Sequence, residues 1–223
     1  AHPQIHRLEA IVLALRDWLG GPARPLWRVP EDIARAVAVC ADALSWLGWR
    51  SPARSTALRQ LSAGVVGDPA AWTAATGIAP QSLAEIFAER PASVQDRWHA
   101  RLFLIKPLAI AALALFWVVT GLVTIGPGYG AAAAQLAASG FPAALVGPAV
   151  FWGGWFDVVL GLLLPVRRFT RPVLLLMLAV TPFYLLVGTL LAPHLWLDPL
   201  GPLLKIVPVL LATVFTLAII DER

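Results

Sequence analysis

The chain has 223 residues, 59% of them hydrophobic and only 13% charged, about half the ~25% charged share of a soluble domain. Residues 107–156 contain no Asp, Glu, Lys or Arg at all, which excludes an ordinary water-soluble fold for that half and points to a bilayer. The net charge of +4 comes from Arg interleaved with acids and dense where apolar segments end, so the basic balance reads as a membrane surface and not as nucleic-acid binding.

Eleven Arg and nine acids fall in residues 1–101, against six basic residues and four acids in 102–223. The chain opens Ala1-His2-Pro3 without an initiator Met or signal-peptide pattern, and reads as a piece of a longer protein or a trimmed product. An amphipathic stretch from Ile5 to Leu19 is expected to stop at Gly20-Gly21. Glu31 and Asp32 then open a helix running to about Leu47, with acids at the positive end of its dipole. Cys40, the single cysteine, excludes an internal disulfide and a cysteine metal cage and is expected to be a small buried apolar side chain. Ser51-Pro52 fits an N-cap followed by Pro at the first helical position, and Asp68-Pro69 repeats the device. Gly77 should end the helix after Thr76. Ser82 and Glu85 form an S-x-x-E capping box.

From Ser93 to Arg101 a charged helical lead-in precedes four apolar segments, about 102–123, 142–164, 172–191 and 200–220. Each approaches the ~20 residues needed to cross a bilayer. The connection around Gly126–Gly140 is uncharged, the next carries Arg167, Arg168 and Arg171, and the last carries one acid, Asp198. Positive residues mark the cytoplasmic side. The N-terminal region, the Arg loop and the Asp221-Glu222-Arg223 end are therefore expected inside, and the connections near Tyr129 and Trp196 outside. The expected fold is all-α: a helical cytoplasmic region, residues 1–92, followed by a four-helix transmembrane bundle, residues 93–223. The prolines within the spans read as kinks, and Gly153, Gly154 and Gly161 on the second span as places where another helix comes close.

Charges inside the spans are the candidate functional residues. Asp157 lies deep in the second span, Lys205 in the first turns of the fourth, and Lys106 near the inner end of the first. Both lysines can snorkel to the interface. For Asp157 three readings stand open: an ion pair with Lys205, although the two differ by ~12 Å in depth; a protonated carboxyl bonded to a backbone carbonyl; and a role in proton or quinone handling. His2, His6 and Glu9 share a helical face at metal-ligand spacing, but at a chain end expected to fray. His194 belongs to an outer loop. Nothing brings Ser, His and Asp together as a triad. No glycine-rich dinucleotide loop follows a strand, and neither Tyr129 nor Tyr184 has a Lys four residues later, so the chain is not a complete oxidoreductase by itself.

The runs R-P-A-S-V-Q-D-R-W-H-A-R-L-F-L-I-K-P-L-A-I (90–110), F-W-V-V-T-G-L (116–122), F-D-V-V-L-G-L-L-L-P-V-R-R (156–168) and L-W-L-D-P-L-G-P-L-L-K-I-V-P (195–208) resemble the DoxX-like membrane domain. The stretches 46–61 and 67–83 resemble the tail of an NAD(P)-binding protein of the short-chain dehydrogenase/epimerase type, with its Rossmann part absent. The resemblance implies four membrane helices in a bacterial cytoplasmic (inner) membrane and a link to redox or quinone metabolism. It further implies anchoring of an upstream or partner NAD(P)-binding domain, with a quinone-like lipid as partner besides the bilayer. No cofactor site lies within this chain, and NAD(P) is expected only with an upstream Rossmann domain. The alternative is a small proton- or ion-linked transporter, or a membrane assembly factor, built around Asp157.

Overall fold

The computed structural model describes residues 4–22, 25–49 and 51–220. Among them ten α-helices and one 3-10 turn account for all regular structure, and no strand occurs. The fold is all-helical, as composition and periodicity predict. His2 and the Asp221–Arg223 end, on which a metal spacing and a topology marker were expected, lie outside the described residues.

The chain divides into two compact units, Ala1–Arg101 and Leu102–Arg223. In the first, α1 (Leu8–Trp18) ends before Gly20, whose φ of +70° needs a residue without Cβ. Trp18 stacks on Phe87, ring centroids 5.4 Å apart, and its indole N–H donates to the Arg90 carbonyl at 2.6 Å. Helix α2 (Glu31–Trp46) buries Ala38 and Ala41 on one face. Cys40 lies off that face and is exposed, so the expectation of a buried thiol fails: small alanines, not the sulfur, occupy the contact with the rest of the unit.

Helix α3 (Ser55–Ala63) starts three residues later than the Ser51-Pro52 pair suggests. Ser51 Oγ accepts from Ala53 N at 3.2 Å in a turn ahead of the helix and does not cap it. Asp68 Oδ1 accepts from Ala70 N at 2.8 Å and holds the start of α4 (Ala70–Thr76), which Gly77 ends at φ +70°. In α5 (Leu83–Glu89) the Ser82–Glu85 capping box is complete in both directions. The backbone N–H of Ser82 donates to the Glu85 carboxylate and is the main reason that carboxyl lies below its ordinary range, with the Ser82 hydroxyl next.

Helix α6 (Val94–Ile125) runs unbroken through the charged lead-in, Pro107 and the first apolar segment. Ser93 and Asp96 cap its start: Ser93 N donates to Asp96 Oδ2 at 2.8 Å, and Asp96 N to Ser93 Oγ at 3.2 Å. The uncharged connection expected after it is itself helical: α7 (Tyr129–Ala138) packs against α8 (Ala143–Leu163). Alanine supplies the reason, being the best helix former and filling positions 131–134. Helix α9 (Arg167–Leu191) follows, and the 3-10 turn Pro193–Trp196 leads toward α10 (Ile206–Ile220). Trp196 Nε1 donates to Thr189 Oγ1 at 3.1 Å and ties that turn back to α9.

Among the described residues three helices, α6, α8 and α9, are long and apolar enough to cross a membrane. The fourth expected span, 200–220, is helical only from Ile206, and its 15 residues cover about 22 Å at 1.5 Å per residue, short of the ~30 Å hydrocarbon core. The shortfall has a local cause. Asp198 Oδ1 accepts from Leu200 N and its carbonyl from Gly201 N, both at 2.8 Å, and Gly201 adopts φ +55°. That turn, followed by Pro202, delays the helix. Even so, α10 packs extensively on α9 and buries Thr213 and Thr216. Their hydroxyls donate to the carbonyls of Val209 and Ala212, so neither hydroxyl is stranded among apolar neighbours.

Candidate functional site

The second unit is organised around a seam of small residues between α6 and α8. A Cβ on Gly121 would strike the Gly154 carbonyl oxygen and lie 2.9 Å from Val158 N. One on Gly161 would lie 2.7 Å from the Ala114 carbonyl oxygen and 2.8 Å from Val118 N, and one on Gly154 would meet Ile125. The helices are therefore antiparallel: Gly121 meets Gly154, and seven residues earlier Ala114 meets Gly161, seven residues later. Backbones this close gain dispersion contacts where lipid offers no hydrophobic drive. Of the three glycines expected to admit a neighbour, Gly154 and Gly161 do so; a Cβ on Gly153 would meet nothing within 4 Å.

Asp157 projects from α8 between these two glycines. It is the fifteenth residue of the helix, about 21 Å from Ala143 along the axis, and only 8% exposed. Its partner is Tyr184 of α9, whose hydroxyl donates to Asp157 Oδ1 at 3.1 Å. A carboxyl removed from water needs such a donor, because burying it unaccompanied is among the most expensive placements a side chain can have. This bond also links α8 to α9 across 27 residues of sequence.

The lysines do not join it. Lys205 is exposed, in the hydrogen-bonded turn that precedes α10 and not in a span's first helical turns. No ion pair connects it to Asp157 among the described residues. Lys106 sits half-buried on α6 beside Pro107. Neither open reading of Asp157's partner, a lysine or a backbone carbonyl, anticipates Tyr184. One signal was available: Tyr184 is one of two tyrosines in the chain and lies within an apolar segment, where a hydroxyl must find an acceptor.

Two further features lie in the same unit. Trp117 of α6 is 4% exposed, and its indole N–H is buried without an acceptor among the described residues. A groove of about 560 Å³ is lined by Ile125, Tyr129, Gly147, Pro148, Phe151 and Trp152. No group of three or more His, Cys, Asp and Glu side chains converges among the described residues. His194 lies in the 3-10 turn after α9. Chemically, the Asp157–Tyr184 pair offers a carboxyl able to hold or release one proton, with a hydroxyl fixed on one oxygen.

Residues 114–214 match the DoxX-like family, a membrane-associated family. The match runs from the middle of α6 into α10 and includes Asp157, Tyr184 and Lys205. It leaves out residues 1–113, and the expected dehydrogenase-type tail finds no support in it. No curated protein and no solved structure matches the chain.

Proposed function

We propose that residues 102–223 form a DoxX-like four-span membrane module that holds an NAD(P)-linked oxidoreductase at the inner face of a bacterial cytoplasmic membrane, in redox or quinone metabolism. The observation that carries this reading is the change of character at Arg101/Leu102, where a charged helical unit gives way to span-length apolar helices. The family match over 114–214 supports the membrane module. In this reading α10 and the turns ahead of it complete the fourth span, and both ends of the chain face the cytoplasm. The first unit would be the side that meets the NAD(P)-binding domain: it leaves Trp27 and Trp46 more than nine-tenths exposed, an arrangement suited to a partner surface. The native protein, purified in mild detergent from source-cell membranes, should carry NAD(P)H-dependent reduction of a short-chain quinone analogue. Recovery of the chain in the soluble fraction, or of a membrane complex that neither binds NAD(P)H nor reduces the analogue, removes the proposal.

A second reading is favoured by the Asp157–Tyr184 bond: a small proton-linked transporter whose carrier group is Asp157, since an intramembrane acid with a hydroxyl donor suits proton handling. In liposomes, Asp157→Asn should abolish a proton-linked flux while the protein stays folded. An unchanged flux in that variant, or no flux with either protein, ends this second reading.

A further inference from the structure

Residues flanking the α6–α8 seam fall into two sets. Between the contact of Gly121 with Gly154 and that of Ala114 with Gly161, Val118 and Val158 occupy one flank. Helical phase, 100° per residue in opposite senses on antiparallel helices, puts Trp117 and Asp157 together on the other. Trp117 is three residues above Ala114 and Asp157 four residues above Gly161, so their heights differ by about 1.5 Å. Two polar groups thus share one buried flank: an indole N–H with no acceptor among the described residues and a carboxyl whose Oδ1 is taken by Tyr184. A buried donor left unmade is costly, and the large majority of buried side-chain polar atoms have a partner in the protein or an ordered water.

We infer that Trp117, Asp157 and Tyr184 form one site that holds a single internal water, its oxygen accepting from Trp117 Nε1 and one of its hydrogens donated to Asp157 Oδ2. An internal water makes about three hydrogen bonds, and this pair of partners supplies one donor and one acceptor. The inference rests on the proton-handling reading for its use: the water is the hydrogen-bond partner that Asp157 keeps in both its protonated and its ionised state, and Trp117 is a positioning residue for that water. No oxidant or further reactant is involved. When Asp157 is protonated its O–H donates to the water oxygen, and when it is ionised the water donates to Oδ2, with the Trp117 N–H···O bond kept in both states.

The test uses the full chain in detergent micelles with tryptophan labelled by nitrogen-15 in the indole ring. The Trp117 resonance is assigned by its loss in Trp117→Phe, or in a chain carrying β-(3-benzothienyl)alanine at 117 should phenylalanine leave too large a hole. The latter keeps the bicyclic shape and lacks the N–H. The expected result is a cross-relaxation peak between water and the Trp117 indole proton, with the resonance shifted in Asp157→Asn. A resonance shifted by that variant but without a water peak means a direct Trp117–Asp157 bond, and overturns the inference. A resonance indifferent to Asp157 overturns it too. The flux assay stays separate: flux lost in Asp157→Asn with no water at Trp117 sinks this inference and leaves the transport reading standing.

Discussion

Asp157 and Tyr184 show how one pair can couple two membrane helices. Removing the phenol hydroxyl leaves a buried carboxyl oxygen unsatisfied, which costs about 1–3 kcal/mol. Tyr184→Phe should therefore lower the melting temperature in detergent, whereas adding Asp157→Leu to it should restore part of the loss, because neither position of the pair then holds an unsatisfied polar atom. A double variant as unstable as Tyr184→Phe alone would contradict this. In the first unit, Asp42 is held below its ordinary value of 3.8 by a hydrogen bond from the Ser55 side chain and, next, one from Arg54, whose Nε lies 3.0 Å from Oδ1. A depressed folded-state pKa contributes stability above the unfolded value, and that contribution is lost as pH falls through the folded one. Acidification below about pH 4 should therefore release the start of α3, since Asp42 ties α2 to it. Protection factors of the first amides of α3, taken against the intrinsic exchange rate at each pH, should fall on acidification in the wild type and should already be low at neutral pH in Asp42→Asn.

At the scale of elements, close approach distinguishes the glycines of α8. Gly154→Leu and Gly121→Leu each force a side chain into the facing helix, and overpacking of this kind costs about 1–3 kcal/mol or more. Gly153→Leu points into open space and should change stability by less than about 0.5 kcal/mol. A melting series in one detergent separates the three, and equal losses at Gly153 and Gly154 would show that contact with α6 does not set the cost, since the higher helix propensity of Leu favours both variants. The prolines inside α6, α8 and α9 leave these helices continuous, so their role is curvature and not termination. The turn at Asp198–Lys205 behaves differently, because there proline follows a glycine already in the left-handed region.

For the molecule as a whole, Cys40 is the chain's single cysteine and is exposed on α2, so it reports the side on which the first unit lies. With that unit cytoplasmic, a membrane-impermeant maleimide should label Cys40 in inverted membrane vesicles and leave it unlabelled in intact spheroplasts. Labelling in spheroplasts would reverse the orientation proposed above. A tag behind residue 223, tested with a protease in the same two preparations, then decides between three and four crossings. Protection patterns matching those of Cys40 require an even number.

The apolar spans, the all-helical fold, most helix ends of the first unit and the burial of Asp157 were legible in the sequence, because each depends on local chemistry. Apolar length, a capping box at Ser82–Glu85, a glycine free to take φ +70° and an acid among apolar residues act over one helix or less. The helix over 129–138 was missed because the absence of charge was taken for a connection, although alanine-rich chain is helical by propensity alone. The late start of α10 was missed because hydropathy does not register a turn made by Asp198, Gly201 and Pro202. Tertiary structure alone decided who meets whom. Tyr184 reaches Asp157 from another helix, Lys205 stays outside, and Gly154 faces α6 while its neighbour Gly153 does not. Each of these outcomes depends on the phase and separation of two helices, which lie in the packing of backbones against one another and in no single stretch of residues.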